Sequence, residues 1–250
     1  MKNFSEVFHK SCSPMQGIGT NFLADGKRGN EMASIKKFES GAVCNQLRHI
    51  ERTIKHPSNE DIDSERLNQD YNLAPDRGVN SFSYYKYLID GSYVYGRDDI
   101  KTMAGIIVTA PQDLPEEMET EFFKATYDFL AEKLGGENEL NILSAPVHYD
   151  ESGKPHMHFC FVPLVPDEKH AEYKYKVCMN DLLTREFYRD LHPSLQKHLD
   201  DAGIKCTVAS GITKRQGGNM TVKQLKQQRE LEHEQSLNDA WKHKAETFKY

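Results

Sequence analysis

Apolar positions change their period several times along the chain, and the changes mark out elements. Residues 33–38 are short and half apolar, as an entry strand is. From Ser40, a candidate helix cap, Val43, Leu47 and Ile50 recur at helical spacing and predict a helix to about Thr53. Residues 56–75 are rich in loop formers. Residues 80–95 hold six tyrosines or phenylalanines and read as a helix or a packed loop. Residues 103–110, MAGIIVTA, are a continuous apolar run, the mark of a buried strand. Asp113 and Pro115 open an amphipathic helix with Met118, Phe122, Ala125, Phe129 and Leu130 on one side, stopped at Gly135-Gly136. Two strand-like runs, 142–149 and 155–165, flank a turn-prone segment and predict an antiparallel hairpin. A helical region follows over 179–202, with a break expected at Pro193, then a last strand over 205–210. Residues 221–250 contain no Pro or Gly and are highly charged, which suits a long exposed helix. Residues 1–31 show little periodicity and are expected to form a flexible extension.

Composition narrows the class. The chain has 250 residues, 38% hydrophobic and 28% charged, enough for one core without staples. No run approaches the length of a membrane span, and the first residues lack the apolar segment of a secretory signal. The five cysteines, Cys12, Cys44, Cys160, Cys178 and Cys206, include no CxxC pair. They point to thiols in a reducing cytoplasm rather than a disulfide framework or a zinc ribbon. Lys and Arg number 32 against 38 Asp and Glu, a net charge of -6. That excludes a blanket polycation and leaves room for a local basic surface. Residues 205–229 are such a stretch: Lys205, Lys214, Arg215, Lys223, Lys226 and Arg229 occur there without an acidic residue. Lys214, Arg215, Lys223 and Lys226 are the candidate contacts to a DNA backbone.

The densest chemistry lies in His148-Tyr149-Asp150-Glu151-Ser152-Gly153-Lys154-Pro155-His156-Met157-His158. Side chains two apart on a strand share a face, so His156 and His158 project together, as do His148 and Asp150. A hairpin sets the pairs opposite each other. Three imidazoles on one face can hold a divalent ion and leave coordination positions open, which suits a catalytic metal. Such a site serves hydrolases, oxygenases and phosphoryl-transfer enzymes alike. Upstream, His49 and Arg52 are three apart on the predicted helix, hence neighbours. A guanidinium beside an imidazole disfavours its proton, leaving it neutral and nucleophilic. The same guanidinium could grip a phosphate.

The two clusters together resemble the Mob/Pre (MobV) plasmid mobilisation relaxases, a branch of the HUH endonucleases. The family's H-x-E-R and H-S-N-x-D-I pattern stands here as His49-Ile50-Glu51-Arg52 and His56-Pro57-Ser58-Asn59-Glu60-Asp61-Ile62, with Pro57 inserted. Its H-x-D-E-x-x-P-H-x-H pattern stands as His148-Tyr149-Asp150-Glu151 and Pro155-His156-Met157-His158, with one extra residue in the turn. Arg97-Asp98-Asp99 and the run from Gly211 to Asn219 are weaker matches, and the likeness spans about residues 32–225.

The resemblance implies an α+β fold: an antiparallel sheet of about five strands flanked by helices, with the histidine strands central, over 32–219. It implies cleavage of one DNA strand at a plasmid transfer origin, a covalent link to the 5′ phosphate, and religation. It assigns the nucleophile to His49, a Mn2+ or Mg2+ ion to His148, His156 and His158, a supporting role beside the metal to Asp150, a hydrogen bond to His49 from Glu151, and phosphate contacts to Arg52 and Arg97. It also allows a homodimer through the helix over 220–250. Three alternatives stand beside it. A tyrosine-dependent initiator or transposase of the same superfamily would draw on Tyr188; Tyr71 is the tyrosine nearest the first cluster. A small-substrate phosphoesterase would need neither His49 nor the basic stretch. A non-catalytic DNA-binding descendant would explain the inserted residues.

Overall fold

The computed structural model describes residues 33–54, 62–151 and 153–208. In chain order these form β1 (Ala33–Glu39), α1 (Ser40–Ile50), β2 (Tyr71–Asn72), α2 (Ser81–Asp90), β3 (Lys101–Thr109), α3 (Glu119–Leu134), β4 (Ile142–Ser144), β5 (Pro146–His148) and β6 (His156–Phe161). β7 (Leu164–Pro166), β8 (Tyr175–Val177), α4 (Met179–Leu182) and α5 (Arg185–Asp201) complete them.

Six strands make one sheet in the order β1-β3-β6-β5-β2, with β4 also paired to β6; β7 and β8 pair separately, and all these strand pairings are antiparallel. This is the α+β architecture expected, with six strands rather than five. The extra strand arises because the run over 142–149 is split at Ala145. β4 pairs with the Cys160–Phe161 end of β6, and β5 with its His156–Met157 end. Asn72 holds the break: its amide oxygen accepts from Ala145 N at 2.9 Å and its amide nitrogen donates to Ser144 Oγ at 3.1 Å. Such an interruption leaves hydrophobic patterning intact and is invisible to it.

Strand alternation builds a three-layer molecule. Ala104, Ile106 and Val108 of β3, Val147 of β5, and Met157, Phe159 and Phe161 of β6 pack with α3 and α5 in one core. On the other face Met103, Leu143, Cys160 and Val162 pack with Val43, Leu47 and Ile50 of α1 and with Tyr84, Tyr85 and Leu88 of α2. Gly105 sits between these layers on β3. A Cβ there would lie 3.3 Å from Cys160 Sγ and 3.5 Å from the Phe38 ring, so a larger residue would fit only if the Cys160 side chain gave way slightly. Burial on both faces explains why MAGIIVTA is apolar without alternation.

Other boundaries shift for local reasons. Ser40 is the first residue of α1, and Glu39 occupies the cap position with no side-chain cap bond. The helix stops at Ile50, short of Thr53, because Arg52 takes a left-handed conformation with φ 53°. The aromatic segment is a helix, α2, capped by Asn80, whose side chain accepts from Ser83 N. Pro193 lies inside α5, and the expected break comes earlier, after Leu183. There Thr184 caps α5 by accepting from Phe187 N at 3.2 Å. Residues 204–208 are not a strand but an irregular segment held by Gln196, which donates to Cys206 O and accepts from Val208 N. Among the described residues the four cysteines form no disulfide, and no helix is long and apolar enough to cross a membrane. The extension over 1–31, most of the His56–Ile62 motif, the basic stretch beyond residue 208 and the charged helix over 220–250 lie outside the described residues.

Candidate metal and nucleophile site

β5 and β6 bring their histidines to the face that carries α1. His148 pairs directly with His156 across the hairpin, and His158 follows two residues along β6. The ring centroids of His148 lie 5.4 Å from those of His156 and 4.9 Å from those of His158, and His156 and His158 are 4.9 Å apart. One ligand nitrogen from each ring falls within 4.8 Å of the others.

Burial keeps the cluster neutral. Burial first, then Arg52 and His156, bring His148 down to about 4. Burial also lowers His156, against the opposing pull of Glu151, and lowers His158 further with help from its two neighbours. Three uncharged imidazoles whose ligand nitrogens lie this close are a donor set that fits one divalent transition ion. His148 is already oriented. Its Nε2 lies 2.7 Å from the Ile50 carbonyl and its Nδ1 3.1 Å from Arg52 Nη2. A carbonyl only accepts, so the ring proton sits on Nε2, donated to Ile50; the lone pair on Nδ1, the one an ion would use, faces Arg52 Nη2, so an ion bound there would take the place of that contact. Carbonyl-held imidazoles of this kind are the usual way a protein fixes a metal-ligand histidine.

Arg52 is the hub of the site, in a different way from that expected. The left-handed turn after α1 sends its side chain under the helix end. Nε donates to Asp150 Oδ2 at 2.7 Å and Nη2 to Asp150 Oδ1 at 2.6 Å, a bidentate pair with a fully buried carboxylate. Nη2 also donates to Glu151 Oε1 at 2.8 Å, and Nη1 to His49 O at 3.2 Å. The guanidinium is therefore committed to carboxylates where a phosphate contact was expected. Burial pushes the Asp150 carboxyl up, but the Arg52 bonds outweigh it and hold it below its ordinary value. Glu151 also meets partners other than the one expected. It accepts from Arg52 and approaches His156 Nε2 at 3.8 Å, in place of the hydrogen bond expected to His49.

His49 occupies the last turn of α1, half-buried beside these groups. Its proton is disfavoured by burial first and by Arg52 second, with Glu151 and Asp150 opposing. The direction matches the expectation from the i,i+3 pair, although desolvation outranks the guanidinium. Arg97 is not part of this cluster. It is exposed in the turn before β3, 3.2 Å from Asp99. The register pairs His156 with Thr109, at the opposite end of β3 from Lys101. Eight residues at about 3.3 Å each separate those ends. The alternative tyrosines lie on the wrong layer. Tyr71 packs against the core under α3, and Tyr188 is an exposed residue of α5 with Lys37 over its ring.

Two supports carried no signal in the sequence. Asp70 Oδ1 accepts from Tyr149 N at 2.7 Å, and Asp63 N donates to Asp150 O at 2.7 Å. They hold the backbone just after His148. Glu51 of the first motif turns away and accepts from Ser81 Oγ, tying α1 to α2.

Residues 28–227 match the profile of the plasmid recombination enzyme family, Mob_Pre. A plasmid recombination enzyme of Streptococcus agalactiae is 28% identical over 182 residues, 70% of this chain and 34% of the relative. A type 1 plasmid recombination enzyme of Staphylococcus aureus is 35% identical over 128 residues, 48% of this chain and 30% of the relative. The chain thus spans about a third of the length of these relatives. Among solved structures, the manganese-bound MobM relaxase domain (MOBV; Mob_Pre) in complex with plasmid pMV158 oriT DNA superposes with a TM-score of 0.57. It is 27% identical, with 70% of this chain and 87% of that chain covered. With its profile match over most of the sequence and the relaxase fold built around the histidine hairpin, the chain belongs to the Mob_Pre family of plasmid recombination enzymes.

Proposed function

We propose that this chain is a plasmid mobilisation relaxase acting in the cytoplasm, and that it nicks and rejoins one strand of a transfer origin through a phosphoramidate on His49. The observation that carries the reading is the placement of a neutral, half-buried His49 at the end of the helix that also supplies Arg52 and the Ile50 carbonyl to the three-histidine cluster. His148, His156 and His158 would hold one divalent ion, Mn2+ or Mg2+. When bound, that ion supplies Lewis-acid polarisation of a phosphate oxygen.

The chain's own residues supply the rest. The neutral ring of His49 offers a nitrogen lone pair at the site. A P–N bond to the 5′ phosphate forms as the bond to the 3′ oxygen breaks. The 3′ oxygen takes up a proton as it leaves, and the other ring nitrogen can release one. Religation is the same exchange reversed, so the bond energy stays in the adduct and no nucleotide cofactor is consumed. Arg52 acts by position: clamped on Asp150 and Glu151, it fixes the end of α1, and with it His49, against the hairpin. Asp150 holds that clamp and, through Arg52, which also meets His148 Nδ1, stands beside the metal cluster. Lys214, Arg215, Lys223 and Lys226 are proposed to hold the DNA backbone electrostatically.

The test is adduct trapping. The chain is incubated with single-stranded pMV158 oriT DNA and Mn2+, and the product is mapped by mass spectrometry. The expected adduct is on His49, labile to acid and tolerant of alkali, absent in His49→Ala and present in Tyr71→Phe and Tyr188→Phe. An adduct on a tyrosine would move the protein to the tyrosine-dependent enzymes. No adduct with any divalent metal would leave only DNA binding.

A further inference from the structure

The hairpin has a second side. Tyr149 follows His148 just past the end of β5 and packs in the opposite layer near Tyr71, with ring centroids 6.3 Å apart. Beside it opens a cavity of about 690 Å3, within the range of small-ligand pockets. Arg66, Gln112, Glu116 and Glu119 line it together with Tyr149 and Lys154 from the two arms of the hairpin. The tip of the hairpin therefore separates the histidine site from this cavity.

The lining selects a class of ligand. Two cations and two carboxylates balance, which disfavours a free anion such as phosphate. Donors, acceptors and an aromatic ring around one space suit a flat neutral heterocycle. Glu119 is the most distinctive group. It opens α3 and is 5% exposed, yet its nearest cation, Lys154 Nζ, stays 3.9 Å from Oε1. The Tyr149 hydroxyl also donates to this carboxylate, and a carboxylate with two oxygens keeps acceptor capacity beyond these two partners.

We propose that this cavity takes one unstacked guanine of the DNA strand that crosses the histidine face and rounds the hairpin tip. Guanine alone among the bases presents two adjacent donors, N1–H and N2–H, to a carboxylate, and Glu119 accepts both. Adenine and cytosine set one amino donor beside a ring acceptor, and thymine sets one donor between two acceptors, so each leaves a carboxylate oxygen facing an acceptor. Lys154 and Gln112 supply donors for O6 and N7, and Tyr149 supplies a ring edge or face. The inference rests on the reading of the chain as a single-stranded DNA enzyme.

Binding of fluorescent oligonucleotides by anisotropy, in EDTA so that no cleavage intervenes, tests it. The probes are dT12 and the same strand with one central dG, dA, dC or deoxyinosine, which keeps N1–H and lacks the N2 amino group. The dG strand should bind about tenfold tighter than dT12, the gain expected of a good bidentate base contact. The inosine strand should fall between them, and dA and dC should match dT12. Glu119→Gln should erase the guanine preference and leave dT12 binding within about twofold. Equal affinity for all strands, inosine equal to guanine, or a preference that survives Glu119→Gln would each overturn the guanine pocket while leaving the relaxase reading intact. No binding of any strand by the wild-type chain would overturn that reading and this inference with it. The inosine comparison needs no variant, so it decides even if Glu119→Gln fails to fold.

Discussion

Arg52 ties the end of α1 to the two carboxylates of the hairpin. Its partner Asp150 is fully buried, so removing the guanidinium strands an ionised carboxylate. Arg52→Ala is expected to destabilise the fold by about 3–5 kcal/mol in urea unfolding, the range for breaking a buried pair. The double variant Arg52→Ala with Asp150→Asn should recover part of that loss. His49→Ala, at a half-buried position, should cost less than about 1 kcal/mol while abolishing adduct formation. Loss of stability and loss of chemistry would thus separate between two residues three apart.

Glu119 makes a prediction about pH. Burial raises its carboxyl above the ordinary value, and Lys154 only partly opposes this. The folded state therefore binds this proton more tightly than the unfolded state. Its contribution to stability is full below the unfolded value of about 4.3 and is lost as pH rises through the raised folded value. Glu119→Gln should therefore raise stability at neutral pH and flatten its fall as pH rises above about 4.3. Paired urea titrations at that pH and at neutral pH measure this, and an unchanged slope would assign the fall to other groups.

At the level of the elements, α5 carries an internal proline on its exposed side. Leu191, Leu195 and Leu199 are buried at a spacing that pins the helix to the core under α3. Pro193, between them, cannot donate to the carbonyl four residues back. Packing on one face therefore overrides the local preference that led us to expect a break. Pro193→Ala should raise stability by about 1–3 kcal/mol, read as an upward shift of the thermal midpoint. The position of Arg97 is also decided here. It lies in the turn before β3, and β3 runs its full length between it and the histidines.

For the whole molecule, the cluster of neutral histidines joins two strands and, through Ile50 and Arg52, a helix. An ion held there binds only the folded chain, so Mn2+ at about 100 times its dissociation constant should stabilise it by about 2.7 kcal/mol. Replacing His158 by Ala should abolish the metal-dependent shift in the thermal midpoint while leaving the apo protein folded. A shift that persists would place the ion elsewhere.

Much of this was legible in the order of residues. The periodicities located β1, α1, β3, α3 and the hairpin, because helical and extended repeats leave different hydrophobic spacings. The histidine pattern marked β5 and β6 because alternate residues on a strand must share a face. The split of the strand at Ala145, the small β7–β8 pair, the end of α1 at a left-handed Arg52 and the choice of Arg52 over His49 as the partner of Glu151 left no mark of this kind. They depend on which groups meet in the packed fold: the split at Ala145 and the partner of Glu151 are set by contacts across 73 and 99 residues of chain. Pattern along a chain encodes which face a side chain takes; only the packed fold sets which neighbour it meets there.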